Sequence, residues 1–186
     1  MRHTILKIYT VLSLLLVADM VAYYCYRISL RGYYSDVLLF WSWLLGSFAI
    51  IVLYWKKILA KLLLGAMVLA VVLSILPMAV PFYALVFSTT PLGLWLNKDL
   101  HENYRAQIVG YSVMVPPILQ VIAKKGLLEQ QVFQCSDADL HDEAVRIRHA
   151  KDILWGSETD STLELVLFYG GPDKRVVFDK RNGKIK

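Results

Sequence analysis

"LLLGAMVLAVVLSILPMAVPFYALVFSTTPLGLWLN", residues 62–97, runs for 36 residues without a charged side chain, and its folding decides how many times the chain crosses a membrane. As one helix it would reach about 54 Å, well past a hydrocarbon core of about 30 Å. Something must end it. Pro77 and Pro81 can kink or stop a helix, and after Phe87 the composition turns to Ser, Thr, Pro and Gly. This pattern predicts one helix over about 59–86, kinked at the prolines. The competing reading is a helical hairpin turning at "PMAVP", whose first arm of 15 residues (62–76) is short for a crossing.

Two further apolar runs precede it. Nineteen residues separate Lys7 from Arg27 with Asp19 as their only charge, and nineteen uncharged residues separate Asp36 from Lys56. Each matches the length of a membrane-crossing helix. Tyrosines and tryptophans gather at their ends (Tyr23, Tyr24 and Tyr26; Trp41, Trp43, Tyr54 and Trp55), as at a headgroup layer. The expected spans are therefore about 8–26, 37–55 and 59–86, within an anchor of residues 1–87. Residues 88–186 form a polar, β-rich domain. The expected fold class is an α+β membrane protein with three transmembrane helices followed by a small antiparallel β-rich domain.

The chain is 57% hydrophobic with a formal net charge of +5. Residues 1–97 hold seven basic and two acidic side chains, whereas residues 98–186 hold thirteen of each. The net charge thus lies at the edges of apolar runs and not on the polar domain, so nucleic acid is not an expected partner. Five basic residues (Arg2, Lys7, Lys56, Lys57 and Lys61) fall on one side of a three-span topology, against Arg27 and Arg31 in the first loop. That bias predicts a cytoplasmic N terminus and an extracytoplasmic C-terminal domain in the plasma (inner) membrane. The first run lacks a small-x-small cleavage site, and the bulky residues before Cys25 do not suit lipidation, so the span is read as retained.

In the polar half, "TLELVLFYGGPDKRVVFD" (162–179) puts Leu163, Leu165, Leu167 and Tyr169 on one face, and "GGPD" supplies a turn before Val176 and Phe178 resume the alternation. It predicts a β-hairpin. "RAQIVGYSVMV" (105–115) reads as a strand with Val109, Tyr111, Val113 and Val115 on one face, ended by Pro116-Pro117. "ILQVIAKKGLLEQQVF" (118–133) reads as a second hairpin turning at Lys125-Gly126, and residues 139–155 suit a helix or a bulged strand equally. Five to seven antiparallel strands are expected, and after Gly183 too few residues remain for another full strand.

Chemistry-bearing residues are few. A carboxylate at the centre of a membrane helix costs about 2.5–3.5 kcal/mol on insertion scales, so Asp19 needs a partner. As no other acidic group falls within the expected spans, Asp19 is read as a helix-contact residue accepting hydrogen bonds from Tyr or Ser of a neighbour. The densest polar cluster, "CSDADLHDE" (135–143), offers Asp137, Asp139, His141, Asp142 and Glu143. A calcium loop would need Gly and Glu where His141 and Ile147 stand, so a solvated loop is the better reading. No metal or other cofactor is expected. Cys25 and Cys135, 110 residues apart, fit no metal or catalytic spacing. A disulfide is allowed by the expected topology, but two unpaired thiols is the preferred reading.

There is neither a Gly-x-Ser-x-Gly elbow nor a Gly-x-x-x-x-Gly-Lys loop. Enzyme activity is accordingly not the leading expectation. That expectation is a non-catalytic integral membrane protein that presents its β-rich domain to another protein or an envelope component. Besides the lipid bilayer, another membrane protein or a second copy of the chain is the expected partner. The alternatives are an immunity-like or inhibitor membrane protein and a transport-related protein using Asp19.

Overall fold

The computed structural model describes residues 2–76, 79–101, 103–112, 115–140 and 145–186. Helices come first: α1 (Arg2–Tyr26), α2 (Tyr33–Leu53), α3 (Ile58–Ile75) and α4 (Val80–Thr89), with a short strand β1 (Ile28–Leu30) between α1 and α2. α1, α2 and α3 are long and apolar enough to cross a membrane. Most of their large apolar side chains are exposed, including Leu14, Leu38, Val52, Leu59 and Leu73. Contiguous apolar surface on this scale is what lipid-facing helices present.

Small residues bring α1 and α2 together. A Cβ on Gly46 would lie 3.2 Å from the Tyr9 ring, and Tyr9 Oη is 3.1 Å from the buried Ser47 Oγ. One turn along, Trp43 Nε1 donates to Ser13 Oγ at 3.1 Å. Close backbone approach plus interhelical hydrogen bonds is the usual way apolar helices associate where burial of apolar surface supplies little drive.

The single helix expected over 59–86 is instead two. α3 stops at Ile75, and Ala79, with φ at 57°, turns the chain before α4 begins at Val80. Pro77 lies outside the described residues. Pro81 sits in the first turn of α4, where a missing N–H costs no intrahelical bond, so it starts a helix and does not kink one. At ten residues α4 reaches about 15 Å, half a bilayer core. Its last carbonyls return to the start of α2: Tyr33 Oη bonds the Thr90 carbonyl at 2.7 Å, and Trp41 Nε1 donates to the Thr89 carbonyl at 2.8 Å. The chain therefore leaves the helices at the same end as the α1–α2 connection. Gly93 then lets the backbone pass close to α4 and to Gly110, since a Cβ there would clash with the carbonyl oxygens of Phe87 and Gly110, the latter at 2.8 Å.

Seven more strands follow: β2 (Leu94–His101), β3 (Tyr104–Val109), β4 (Ile118–Lys125), β5 (Leu128–Cys135), β6 (Asp152–Glu158), β7 (Thr162–Phe168) and β8 (Lys174–Asp179). All pairings are antiparallel, in a five-stranded sheet ordered β1-β5-β4-β3-β2 and a three-stranded sheet ordered β6-β7-β8. The α+β layout of apolar helices followed by antiparallel sheets is thus present. Both expected hairpins form, with Gly126 at φ 65° in the tight turn between β4 and β5. Residues 139–155 are neither one helix nor one strand: the described part holds short 3-10 turns at Asp137–Leu140 and Ile147–His149 before β6. The strand expected over 105–115 ends at Val109. Residues 110–112 belong to no strand, and Val113 lies outside the described residues. At the C-terminal end Ile185 makes a lone bridge to Phe178.

The two sheets face each other across one core. Ala106, Ile108, Leu119, Val121, Phe133 and Cys135 of the larger sheet meet Ile153, Leu163, Leu165, Leu167, Val176 and Phe178 of the smaller. Phe133 stacks on Phe178 with ring centroids 5.0 Å apart. Both cysteines are free. Burial pushes the Cys135 thiol up to about 12, with Asp139 and Asp137 adding to the shift. It therefore stays protonated and unreactive. A polar maleimide is expected to label at most one thiol per folded chain and two after denaturation; two labels on the folded chain would contradict this packing.

Ion pairs tie the sheet edges. Lys98 Nζ reaches Asp152 at 2.6 Å between β2 and β6, and Lys180 Nζ reaches Glu158 at 2.6 Å beside β6. These lysines hold both carboxyls below their usual range, chiefly through the hydrogen bonds themselves. A depressed carboxyl stabilises the fold above its unfolded pKa and loses that contribution as pH falls through the folded one. Acid below about pH 4 should thus loosen these edges. Solvent screening keeps each pair below about 1 kcal/mol. Lys98→Met should remove part of the acid sensitivity of unfolding, and an unchanged acid limb would rule the pair out as its source.

Candidate functional site

Alternation along β3, β4 and β5 gives the larger sheet a second face. On β3, Ala106 and Ile108 point into the sandwich, so Arg105 and Gln107 point away from it; on β4, Leu119 and Val121 alternate with Gln120 and Ile122. An outward polar face would ordinarily be solvated. Here the helices cover it, and Arg105, Gln107, Gln120 and Glu129 are buried.

β1 makes this possible. Arg27 (φ 55°) and Gly32 (φ 92°) turn the chain at either end of β1, which pairs with β5 through Ile28–Gln130 and Leu30–Leu128. The connection between two long helices thereby becomes the edge strand of the sheet. It draws the ends of α1 and α2 beneath the polar face. Arg31 adds a backbone bond from its N–H to the Leu127 carbonyl.

Between sheet and helices lies a cavity of about 790 Å³. Its helical wall carries Asp19, Met20 and Tyr23 of α1, Tyr33 and Asp36 of α2, and Ala84, Leu85 and Ser88 of α4. Arg105, Gln107, Gln120, Gln131 and Gln134 line the sheet wall, with Ile118, Ile122 and Tyr111 beside them.

The sheet wall is a directed hydrogen-bond chain. Arg105 Nη1 donates to Gln107 Oε1 at 2.6 Å and to Asn97 Oδ1 at 3.0 Å, and Arg105 Nη2 donates to Glu129 Oε2 at 2.5 Å. Gln107 Nε2 passes the sense on to Gln120 Oε1 at 2.8 Å, and the Gln120 side chain bonds the Tyr111 hydroxyl. Burial, above all, raises the Tyr111 hydroxyl well beyond its ordinary value, so it keeps its proton. The order of donors fixes each amide's orientation and leaves the Tyr111 O–H free to donate.

Two polar atoms at this site are buried and, among the described residues, lack hydrogen-bond partners: Arg105 Nε, a donor, and Asp36 Oδ1, an acceptor. The Arg105 and Glu129 side chains are only 7% and 3% exposed, so their charges compensate each other. Asp19 and Asp36 are then the carboxylates facing the cavity, near the Leu30 amide and, for Asp36, the Ser29 hydroxyl. Arg27, over the Tyr23 ring at 5.5 Å, is the further cation.

Asp19 thus stands on the cavity wall, beside a second acid. Asp36, placed by sequence at the edge of an apolar run, belongs to the first turn of α2. Asp137 and Asp139 are elsewhere, each closing a local turn: Asp137 Oδ1 accepts the Ile147 N–H at 2.8 Å, and Asp139 Oδ2 accepts the Ser136 N–H at 2.8 Å. His141, Asp142 and Glu143 lie outside the described residues. Among the described residues no group of three or more His, Cys, Asp or Glu side chains is placed to hold a metal ion. The cavity's Arg105 and its glutamines went unnoticed in the sequence because a polar residue at every second strand position also marks an ordinary solvated face. Compared with protein-family models, curated proteins and solved structures, the chain matches none.

Proposed function

We propose that the chain is a non-catalytic integral membrane protein that binds an envelope component in the cavity between its helices and its sheet. One observation carries this reading: a pocket of about 790 Å³ between the helices and the sheet, walled by an oriented row of amides, two acidic side chains and a guanidinium. In this reading α1, α2 and α3 cross the plasma (inner) membrane. α4 stays at the interface, and the sheets lie on the extracytoplasmic side. The basic residues at the far ends of the helices support that orientation.

The reading is tested on the full chain extracted in mild detergent. Native mass spectrometry of the wild type should show a retained small molecule that Ala84→Trp, which fills the cavity from α4, loses, while the two proteins stripped of ligand unfold at the same temperature. Identical spectra for the two proteins would overturn it. Alkaline-phosphatase and fluorescent reporters fused in parallel to the C terminus test the orientation: an active phosphatase agrees with it, and a fluorescent, phosphatase-silent fusion reverses it.

A further inference from the structure

We propose that the larger sheet lies along the bilayer surface and is seated in the lipid headgroup layer at both ends, through Leu127 in the β4–β5 turn and through Leu92 and Trp95 after α4. This seating rests on the reading that α1, α2 and α3 cross the bilayer, and it is independent of what the cavity holds.

The first point of contact is fixed by β1. Arg31, between β1 and α2, donates its backbone N–H to the Leu127 carbonyl at 3.1 Å, and its Nη1 donates to the Gly126 carbonyl at 3.2 Å. The turn is thereby held at the level where α1 ends and α2 begins. Leu127 is 85% exposed there, and Tyr24 and Tyr26 of the last turn of α1 are exposed beside it in the chain's course to β1.

The second point lies at the other end of β4, whose eight residues span about 26 Å. Lys125 pairs with Leu128 at the first end, and Ile118 pairs with Val109, the partner of Leu94, at the second. There the chain leaves α4, whose last carbonyls are bonded to Tyr33 and Trp41 of α2, so the turn Pro91–Gly93 also stands at the level of the helix ends. Leu92 is 70% exposed, Val115 60% and Trp95 50%. They border a hollow of about 320 Å³, with the Arg148 guanidinium 5.4 Å from the Trp95 ring centre.

The placement of the two groups selects the occupant. Large apolar side chains grouped on a surface mark a partner, and these two groups come from distant parts of the sequence yet share the level at which the lipid-facing helices end. A bilayer in which α1 and α2 stand meets both by continuity. Each group also carries cations at its edge, Arg31 and Lys125 next to Leu127 and Arg148 on Trp95, all of them exposed or half-buried. An apolar tip with a cation beside it matches acyl chains below phosphates, and tryptophan and arginine are side chains that bridge those layers.

The test reconstitutes the full chain carrying Cys25→Ser in vesicles of dioleoyl phosphatidylcholine and dioleoyl phosphatidylglycerol. A nitroxide is attached at Leu127→Cys, Leu92→Cys, Leu14→Cys or Arg175→Cys, one at a time; Cys135 is buried and stays unlabelled. Leu14, exposed midway along α1, reports lipid, and Arg175, exposed on β8 and pointing away from the larger sheet, reports water. The readout is collision with oxygen, which concentrates in acyl chains, relative to collision with a water-soluble nickel chelate. Leu127 and Leu92 should both give ratios clearly above Arg175 and below Leu14. If either matches Arg175 while Leu14 stays high, the seating is overturned and the crossing helices stand; if Leu14 also matches Arg175, the crossing reading fails with it. Shielding of Leu127 and Leu92 from both reagents would mean that a protein, a partner or a second copy, covers the rim, and overturns the lipid assignment.

Discussion

Arg105→Met should destabilise the folded chain by about 3–5 kcal/mol, because it leaves the Glu129 carboxylate buried without its counter-charge. The Arg105–Glu129 contact of 2.5 Å joins β3 to β5 across β4, and both side chains are more than nine-tenths buried. Removing the guanidinium also takes the donor from Asn97 and Gln107, so the amide chain loses its direction. Glu129→Leu made in the Arg105→Met background should recover much of the loss, since an apolar pair strands no charge. A double-mutant cycle by urea titration in detergent checks this. A single-mutant loss below about 1 kcal/mol would mean that water reaches the pair and screens it as it does a surface bridge.

The second large effect belongs to the core that the smaller sheet forms against the other face of this one. Phe178→Ala should cost about 3–5 kcal/mol through lost apolar burial and the void left behind. Phe178 is fully buried, stacks on Phe133 of the facing sheet and anchors the bridge to Ile185. Phe178→Leu, which refills most of the volume, should cost clearly less. The order of the two variants in urea midpoint is the readout, and equal midpoints would show that the sandwich collapses around the void. Because the sandwich and the cavity share β3, β4 and β5, Phe178→Ala should also weaken ligand retention. Ala84→Trp should block retention while leaving the urea midpoint equal to that of the ligand-free wild type. The two variants thus separate loss of fold from loss of site.

The chain's legibility follows from how local each feature is. Long uncharged runs such as 37–55 can satisfy their backbone groups internally only as helices, and α2 holds most of that run. Leu163, Leu165 and Leu167 alternate because one side of β7 meets a core, and all three are fully buried. "KKGL" turns a hairpin because glycine takes the positive φ that the turn requires. In each case a few neighbouring residues carry the whole signal.

What the sequence by itself determined was therefore the apolar helices, the hairpins and the partition of charge between the two halves, all set by periodicity, turn chemistry and composition within short windows. Only the tertiary structure decided that Ile28–Leu30 serves as a sheet edge, that α4 returns to α2, and that Asp19, Asp36 and Arg105 face one cavity. Strand alternation says that Gln107 and Gln120 point away from the apolar core. Whether water or a helix meets them there depends on a pairing between β1 and β5 about a hundred residues apart in the chain, to which no local pattern responds.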